Sequence, residues 1–344
     1  MTTHPGIRQF VAAFLALLPM AQGLRADWAN VTALDAPVAL SRDQAKARET
    51  MVVRLNAQIE ANEAFLRQSP EDSHAWESRI RLASAEGRLA SLQKDKAGVQ
   101  NAVAKLRELE RSVPDTKLRA EAMFRRITLQ WQDLGDTPDT RRENSRALAM
   151  QFSQAYPQDR RSARLLAEAS DLSNYHPEEK KKLVELALSL CTEESLLQRL
   201  KDDQLQLSQL GRPVDLRFTA TDGTKVDLGE ERGKVTAVIF WSAESAPSLV
   251  WMGYFAKYAD GVPGLRVVTV SVDRNRADLD AAMHSLHLLW PTAFDGQGWQ
   301  NAIARKYGIN TLPTLWLIDM KGNLSFLNAR ENYQLKINEL FLNK

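Results

Sequence analysis

One cysteine, Cys191, is all the thiol chemistry this 344-residue sequence offers. An intramolecular disulfide and dithiol exchange both need two thiols, so both are excluded. Charge of one sign is also short: 45 Lys and Arg against 43 Asp and Glu leave a net charge of +2, which gives no reason to expect nucleic-acid binding. The densest basic run, Lys180-Lys181-Lys182, is flanked by Glu178, Glu179 and Glu185 and reads as a solvated helix face. His74 and His176 stand alone. No His/Cys/Asp/Glu spacing suggests a metal site, and neither a Walker loop nor a dinucleotide fingerprint occurs, so no metal and no cofactor are expected. The apolar run Phe10 to Met20 is well short of the roughly 20 residues that span a bilayer.

That run has another reading. A basic residue precedes it at Arg8, and small residues follow at Ala21, Gly23 and Ala26, which is the pattern of a secretory signal peptide cut after Gly23 or Ala26. The expectation is a signal peptide over 1–26 and export to a bacterial periplasm or cell envelope, with no stable transmembrane span in the mature chain. Cys191 then lies in an oxidising compartment. Positions 183, 184, 187, 188 and 191 share one helical face, so Cys191 reads as a small core residue; a homodimer joined through two copies of Cys191 is the alternative.

The length suggests two domains. From Leu40 to Leu210 the chain is rich in Ala, Leu, Glu, Arg, Lys and Gln and carries no strand pattern, which predicts helices joined by short turns. Pro70, Pro114 and Pro157 each close a helix, each has an acid one or two places on, and each precedes a further amphipathic run, Ala75 to Leu82, Ala120 to Leu129 and Ala163 to Leu172. A recurrence of about 43 residues is compatible with stacked helical hairpins of the tetratricopeptide or HEAT sort. An irregular bundle in which proline marks helix starts is the alternative. Gly211 and Pro213, in Ser208 to Pro213, mark the end of this region.

Beyond that point the sequence changes character. Leu216 to Lys234 reads as a strand, a turn at Asp222-Gly223 and a second strand, followed by the apolar run Val235 to Trp241. The loop Phe240-Trp241-Ser242-Ala243-Glu244-Ser245-Ala246-Pro247-Ser248 comes next, then a helix through Val250, Tyr254, Phe255 and Tyr258, and the strand Leu265 to Asp273. Trp290-Pro291-Thr292, Gly298-Trp299-Gln300-Asn301 and Tyr307-Gly308-Ile309 follow; Leu312-Pro313-Thr314 opens the strand through Asp319, and Lys321-Gly322-Asn323 turns into the last strand. In order and spacing, residues 208–344 resemble exported thioredoxin-like proteins of the TlpA/redoxin (AhpC-TSA-like) family, whose loop reads Phe-Trp-Ala-x-Trp-Cys-x-Pro-Cys.

The resemblance implies a helical domain over 27–207 followed by an α/β thioredoxin fold over 208–344, with a cis-proline at Pro313 facing the loop. It also implies thiol-disulfide oxidoreductase descent, yet Ser245 and Ser248 stand where the two redox cysteines belong, and a hydroxyl cannot exchange disulfides. Glu244 occupies a common Trp position and would oppose thiolate formation, while Ser, Glu and Pro247 all suit the first turn of a helix. A serine nucleophile needs a base and an orienting partner. Only His284 and His287 are on offer in this segment, in an Ala281 to Leu289 stretch that reads as a helix, and no Gly-x-Ser-x-Gly elbow surrounds Ser245.

The leading expectation is therefore a protein that is not an enzyme, with no catalytic residue. It would bind a protein or peptide partner in the groove formed by Glu244, Ser245, Pro247, Leu312 and Pro313, or on the helical array. Trp241 and Trp316 read as core aromatics. Retention of a redoxin-type redox role, and an envelope scaffold carried by the helical region, are the alternatives.

Overall fold

The computed structural model describes residues 27–39 and 41–342. The signal-peptide reading falls on residues 1–26, outside the described residues. The described residues divide into two compact units, one ending at Asn144 and the other beginning at Ser145.

In the first unit α1 (Trp28–Ala33), α2 (Gln44–Gln68), α3 (Ala75–Gln93), α4 (Lys96–Ser112) and α5 (Thr116–Trp131) follow one another, and each helix from α2 to α5 packs on the next. Aspartates set the starts: Asp43, Asp95 and Asp115 each accept hydrogen bonds from first-turn amides, as expected for carboxylates at the positive end of a helix. Pro114 and Pro70 fall in the turns, but Asp72, two residues after Pro70, bonds His74 instead of capping. The core is Ile80, Ala83, Ala102, Leu106, Val113, Ala122 and Leu129. Gly87 lets α3 approach α4 and α5 closely, since a Cβ there would lie 2.5 Å from a Leu129 methyl and 2.8 Å from the Ala102 Cβ.

The helix α6 (Pro138–Ala155) runs across the division. In the second unit Asp159 caps α7 (Arg160–Leu172), followed by α8 (Pro177–Leu190) and α9 (Glu194–Gln209). Gly211, at φ +76°, turns the chain so that the Gly211 and Val214 amides donate to the carbonyls of Leu324 and Gly322. β1 (Arg217–Thr219) and β2 (Lys225–Asp227) form an antiparallel pair, as the turn at Asp222-Gly223 predicts. The main sheet has the order β5-β4-β3-β6-β7, built from β3 (Val235–Trp241), β4 (Leu265–Ser271), β5 (Thr292–Ala293), β6 (Thr314–Ile318) and β7 (Leu324–Phe326). β3 is parallel to β4 and antiparallel to β6.

Every residue of β3 is buried, because the central strand is covered on both faces. Val235, Ala237, Ile239 and Trp241 meet Met252 and Phe255 of α10 (Ala246–Ala259), Leu279 of α11 (Arg276–Ser285) and Ile337 of α13 (Tyr333–Leu342). Val238 and Phe240 face the opposite layer with Trp316, Leu216, Val226 and Ala304 of α12 (Ala302–Lys306). Trp241 and Trp316 are both core residues, as expected. The overall class, helices followed by a thioredoxin-type α/β sheet, is the one read from the sequence.

Three local readings are corrected. Lys180 is buried, not solvated: its ammonium donates to Asn174 Oδ1 at 2.7 Å and lies 3.9 Å from Asp203 Oδ1. Cys191 is not in the core. It flanks the C-terminus of α8, half-buried, with Sγ 3.5 Å from the Glu193 carbonyl. The Ala281 to Leu289 segment is helical only to Ser285, and His287 sits in the left-handed region at φ +55°.

Candidate functional site

β3 delivers the chain to the C-terminal edge of the sheet, where the hydrogen bonds of Ser242 to Ser245 determine the loop's shape. Asp273, just beyond β4 and buried, holds it. Its Oδ1 accepts from the Ser242 hydroxyl at 2.6 Å and the Ala243 amide at 2.8 Å, and its Oδ2 accepts from the Ser271 hydroxyl at 2.7 Å. Ser242 Oγ in turn accepts from the Glu244 amide at 3.1 Å. A carboxylate without water must have its lone pairs satisfied by donors, and this loop supplies them.

Ser245 is the N-cap of α10, accepting from the Ser248 amide at 3.3 Å, and Pro247 stands in the first turn. Both features follow from helix-start chemistry. Ser248 is fully buried, and among the described residues its hydroxyl has no hydrogen-bond partner.

The facing wall is the segment before β6. The Leu312–Pro313 peptide bond is cis, as the resemblance implies. Asn310 is held by α9: its amide donates to Asp203 Oδ1 at 3.0 Å, while Gln206 donates to the Gly308 carbonyl at 2.7 Å. A Cβ at Gly308, whose φ is +67°, would lie 2.6 Å from the Asp202 carbonyl oxygen, so α9 presses directly on this turn. Tyr307 anchors its base, donating to the Asp215 carbonyl at 2.5 Å, and burial beside the Asp215 charge pushes its phenol up to about 12.

Between these walls lies a groove of about 650 Å³ lined by Ser242, Glu244, Ser245, Val272, Arg274, Gly298, Trp299, Asn310, Thr311 and Leu312. Glu244, Ser245 and Leu312 are thus brought together. Pro247 is exposed on the first turn of α10 and Pro313 is buried, and neither lines the groove.

Sequence reasoning missed Arg274, Trp299 and Asn310 as groove residues and Asp273 as the loop's anchor. Trp299 is 48% exposed, an unusual amount of bare indole. Its turn is tied down by Asn301, which donates to the Ser271 carbonyl at 3.4 Å and caps α12. The Arg274 stem lies over Gly298 (φ +57°), where a Cβ would come 2.9 Å from Arg274 Nε. Among the described residues no carboxylate pairs with Arg274. One signal for Asp273 was available: a carboxylate ending a strand as apolar as Val267 to Val272 requires donors from elsewhere.

Chemically, the groove offers a cation, an anion, an exposed indole and backbone beside the cis bond. No thiol and no histidine is among its lining residues. Residues 206–340 match the Redoxin family model. The C-terminal segment is redoxin-like.

No curated protein matches the chain. Solved structures similar to it include the thioredoxin domain of a thiol-disulfide oxidoreductase from Bacteroides vulgatus, 21% identical, covering 38% of this chain and 96% of that one, with a TM-score of 0.32. A thiol-disulfide oxidoreductase from Bacteroides fragilis is 21% identical, with 35% and 94% covered and a TM-score of 0.32. A secreted disulfide oxidoreductase from Mycobacterium tuberculosis is 14% identical, with 37% and 96% covered and a TM-score of 0.33.

Proposed function

We propose that this redoxin-like chain is an exported binding protein that holds an extended segment of a protein partner in the groove and carries out no disulfide exchange. The observation that carries the reading is the state of the two serines. Ser245 is committed to capping α10 and Ser248 is sealed in the interior, while the groove in front of them stays open, with Trp299 and Leu312 available to an incoming chain.

Glu244, Ser245, Pro247, Leu312 and Pro313 are the proposed partner-binding residues, with Arg274 and Trp299 added. Backbone groups next to Pro313 offer strand-like pairing to an extended ligand, and the apolar surfaces contribute burial at about 25 cal/mol per Å². The helices, taken as a domain over 27–207 ahead of the thioredoxin-like domain over 208–344, would add contact surface of the kind stacked hairpins provide.

Two measurements test this together. The mature chain, used as bait in a native envelope extract, is expected to retain a specific partner that a Leu312→Arg/Ser245→Arg variant loses, and to show no turnover in an insulin-reduction assay. Equal retention by the variant moves the interaction away from the groove, and thiol-dependent turnover by the unmodified chain overturns the non-redox part of the proposal.

A further inference from the structure

The first unit contains an electrostatic arrangement unrelated to the groove. Arg54 on α2, Arg81 and Arg88 on α3, and Arg125 on α5 line one hollow of about 370 Å³, and Asp35 is the only carboxylate residue in its wall. Two of the four guanidiniums are neutralised. Arg81 pairs with Asp35 at 2.6 Å and Glu77 at 2.9 Å, and Arg125 pairs with Glu121 at 2.6 Å. Arg54 donates only to the backbone carbonyls of Leu34 and Ala36.

Arg88 is the exception. It is half-buried, and among the described residues no hydrogen bond or ion pair satisfies it. Burial, and then repulsion from Arg125 and Arg54, pull its pKa below the ordinary arginine value. Arginine nevertheless stays charged under all ordinary conditions, so the charge persists. A cation taken partly out of water beside two like charges opposes folding unless a counter-ion joins it. Among the described residues the fold supplies none, although it pairs Arg81 and Arg125 with three separate carboxylates. Guanidinium forks match the paired oxygens of phosphate and carboxylate groups, and bonds to such charged groups are short and strong.

We propose that this hollow binds a small, multiply charged oxyanion, a phosphorylated or polycarboxylate molecule, with Arg88 as its central contact and Arg54 and Arg125 flanking it. The volume corresponds to roughly a dozen water-sized atoms at about 30 Å³ each, which suits a small organic anion and is too small for a folded partner. Apolar wall residues Val31 and Met51 give such a ligand a surface for a short carbon skeleton.

The test uses the full chain with sodium pyrophosphate and, separately, sodium citrate as probes, at fixed ionic strength with chloride as the balancing ion. Calorimetry is expected to show saturable binding of at least one probe at one site. The preferred probe tells phosphate from carboxylate chemistry. Arg88→Ala should weaken that binding by at least about tenfold and Arg88→Lys by less, since lysine keeps the charge but loses the fork. Without anion, Arg88→Ala should melt at the same temperature as the parent chain or higher, because an uncompensated charge has been removed. Absence of saturable binding by both probes overturns the proposal. So does affinity within twofold of the parent in Arg88→Ala, or an anion-free Arg88→Ala that melts lower while its affinity is unchanged, which would make Arg88 merely structural.

Discussion

Replacing Asp273 with alanine tests whether the groove's loop is held by one buried carboxylate. The substitution removes the acceptor for four donors: Ser242 Oγ at 2.6 Å, Ala243 N at 2.8 Å, Ser271 Oγ at 2.7 Å and, more weakly, Glu244 N at 3.4 Å, which also donates to Ser242 Oγ. Ala243 is half-buried and lies beside the groove, so water can replace that acceptor at little loss. The two hydroxyls belong to buried residues and are left without an acceptor. Hydrogen bonds to a charged group contribute about 1.5–3 kcal/mol each, which puts the loss from the two hydroxyls near 3–6 kcal/mol. Asp273→Asn keeps one oxygen for Ser242 and Ala243 and should lose about 1–2 kcal/mol.

Eight tryptophans are spread through both units, so fluorescence would blur the result. Hydrogen-exchange mass spectrometry of peptides from β3 and β4 reads the affected strands directly. At about 1.4 kcal/mol per factor of ten, protection there should fall by roughly a hundredfold to ten-thousandfold in Asp273→Ala. Protection within threefold of the parent chain would refute the reasoning and return the loop's shape to its backbone alone.

Three further outcomes are expected. Ser245→Cys/Ser248→Cys, made with Cys191→Ser, should close an intrachain disulfide under glutathione oxidation, visible as a loss of 2 Da. The two positions are one helical turn apart, with Ser248 N 3.3 Å from Ser245 Oγ. A variant that stays a dithiol would show that more than the thiols has diverged. Asp203→Ala should raise exchange in residues 307–312, since Asn310 loses its 3.0 Å acceptor, and unchanged exchange there would show that Asp203 does not hold that turn.

Asp159 supplies a pH test. Burial raises its pKa, but the side-chain and backbone hydrogen bonds from Arg161 outweigh it, and the net shift is downward. Its stabilisation is therefore present above the unfolded carboxylate value of about 3.9 and lost as pH falls through the lower folded value. Asp159→Asn should cost about 1 kcal/mol in chemical denaturation at pH 7, with the difference closing below about pH 4. A difference independent of pH would refute the charge argument.

How much was legible depended on how local each cause is. Val235 to Trp241 could be read as a buried strand because six of its seven residues, all but Thr236, are apolar and need cover on both faces. Ser245 and Pro247 could be read as a helix start because capping is decided within a single turn. Asp273 and Ser242 are 31 positions apart, and only the parallel pairing of β3 with β4 brings them to 2.6 Å. Lys180 looked solvated among glutamates because its partner Asp203 comes from the next helix. The Arg54, Arg88 and Arg125 hollow was invisible for the same reason: three helices contribute to it, and nothing in any one of them marks its arginine as different from the many others.

The grip of α9 on Gly308 and Asn310 bears on how the redoxin-like part may be cut out and handled. The family match begins at residue 206, inside α9 and three residues beyond Asp203. A fragment trimmed to that boundary would retain all seven strands and the serine loop, yet one bank of the groove would have lost the carboxylate that fastens it. Grafting the trimmed piece onto another carrier, or crystallising it alone, would give a differently shaped channel. The smallest fragment that keeps this contour begins upstream of Glu194, because the groove's wall is shared between a helix that starts before the family match and a turn within it.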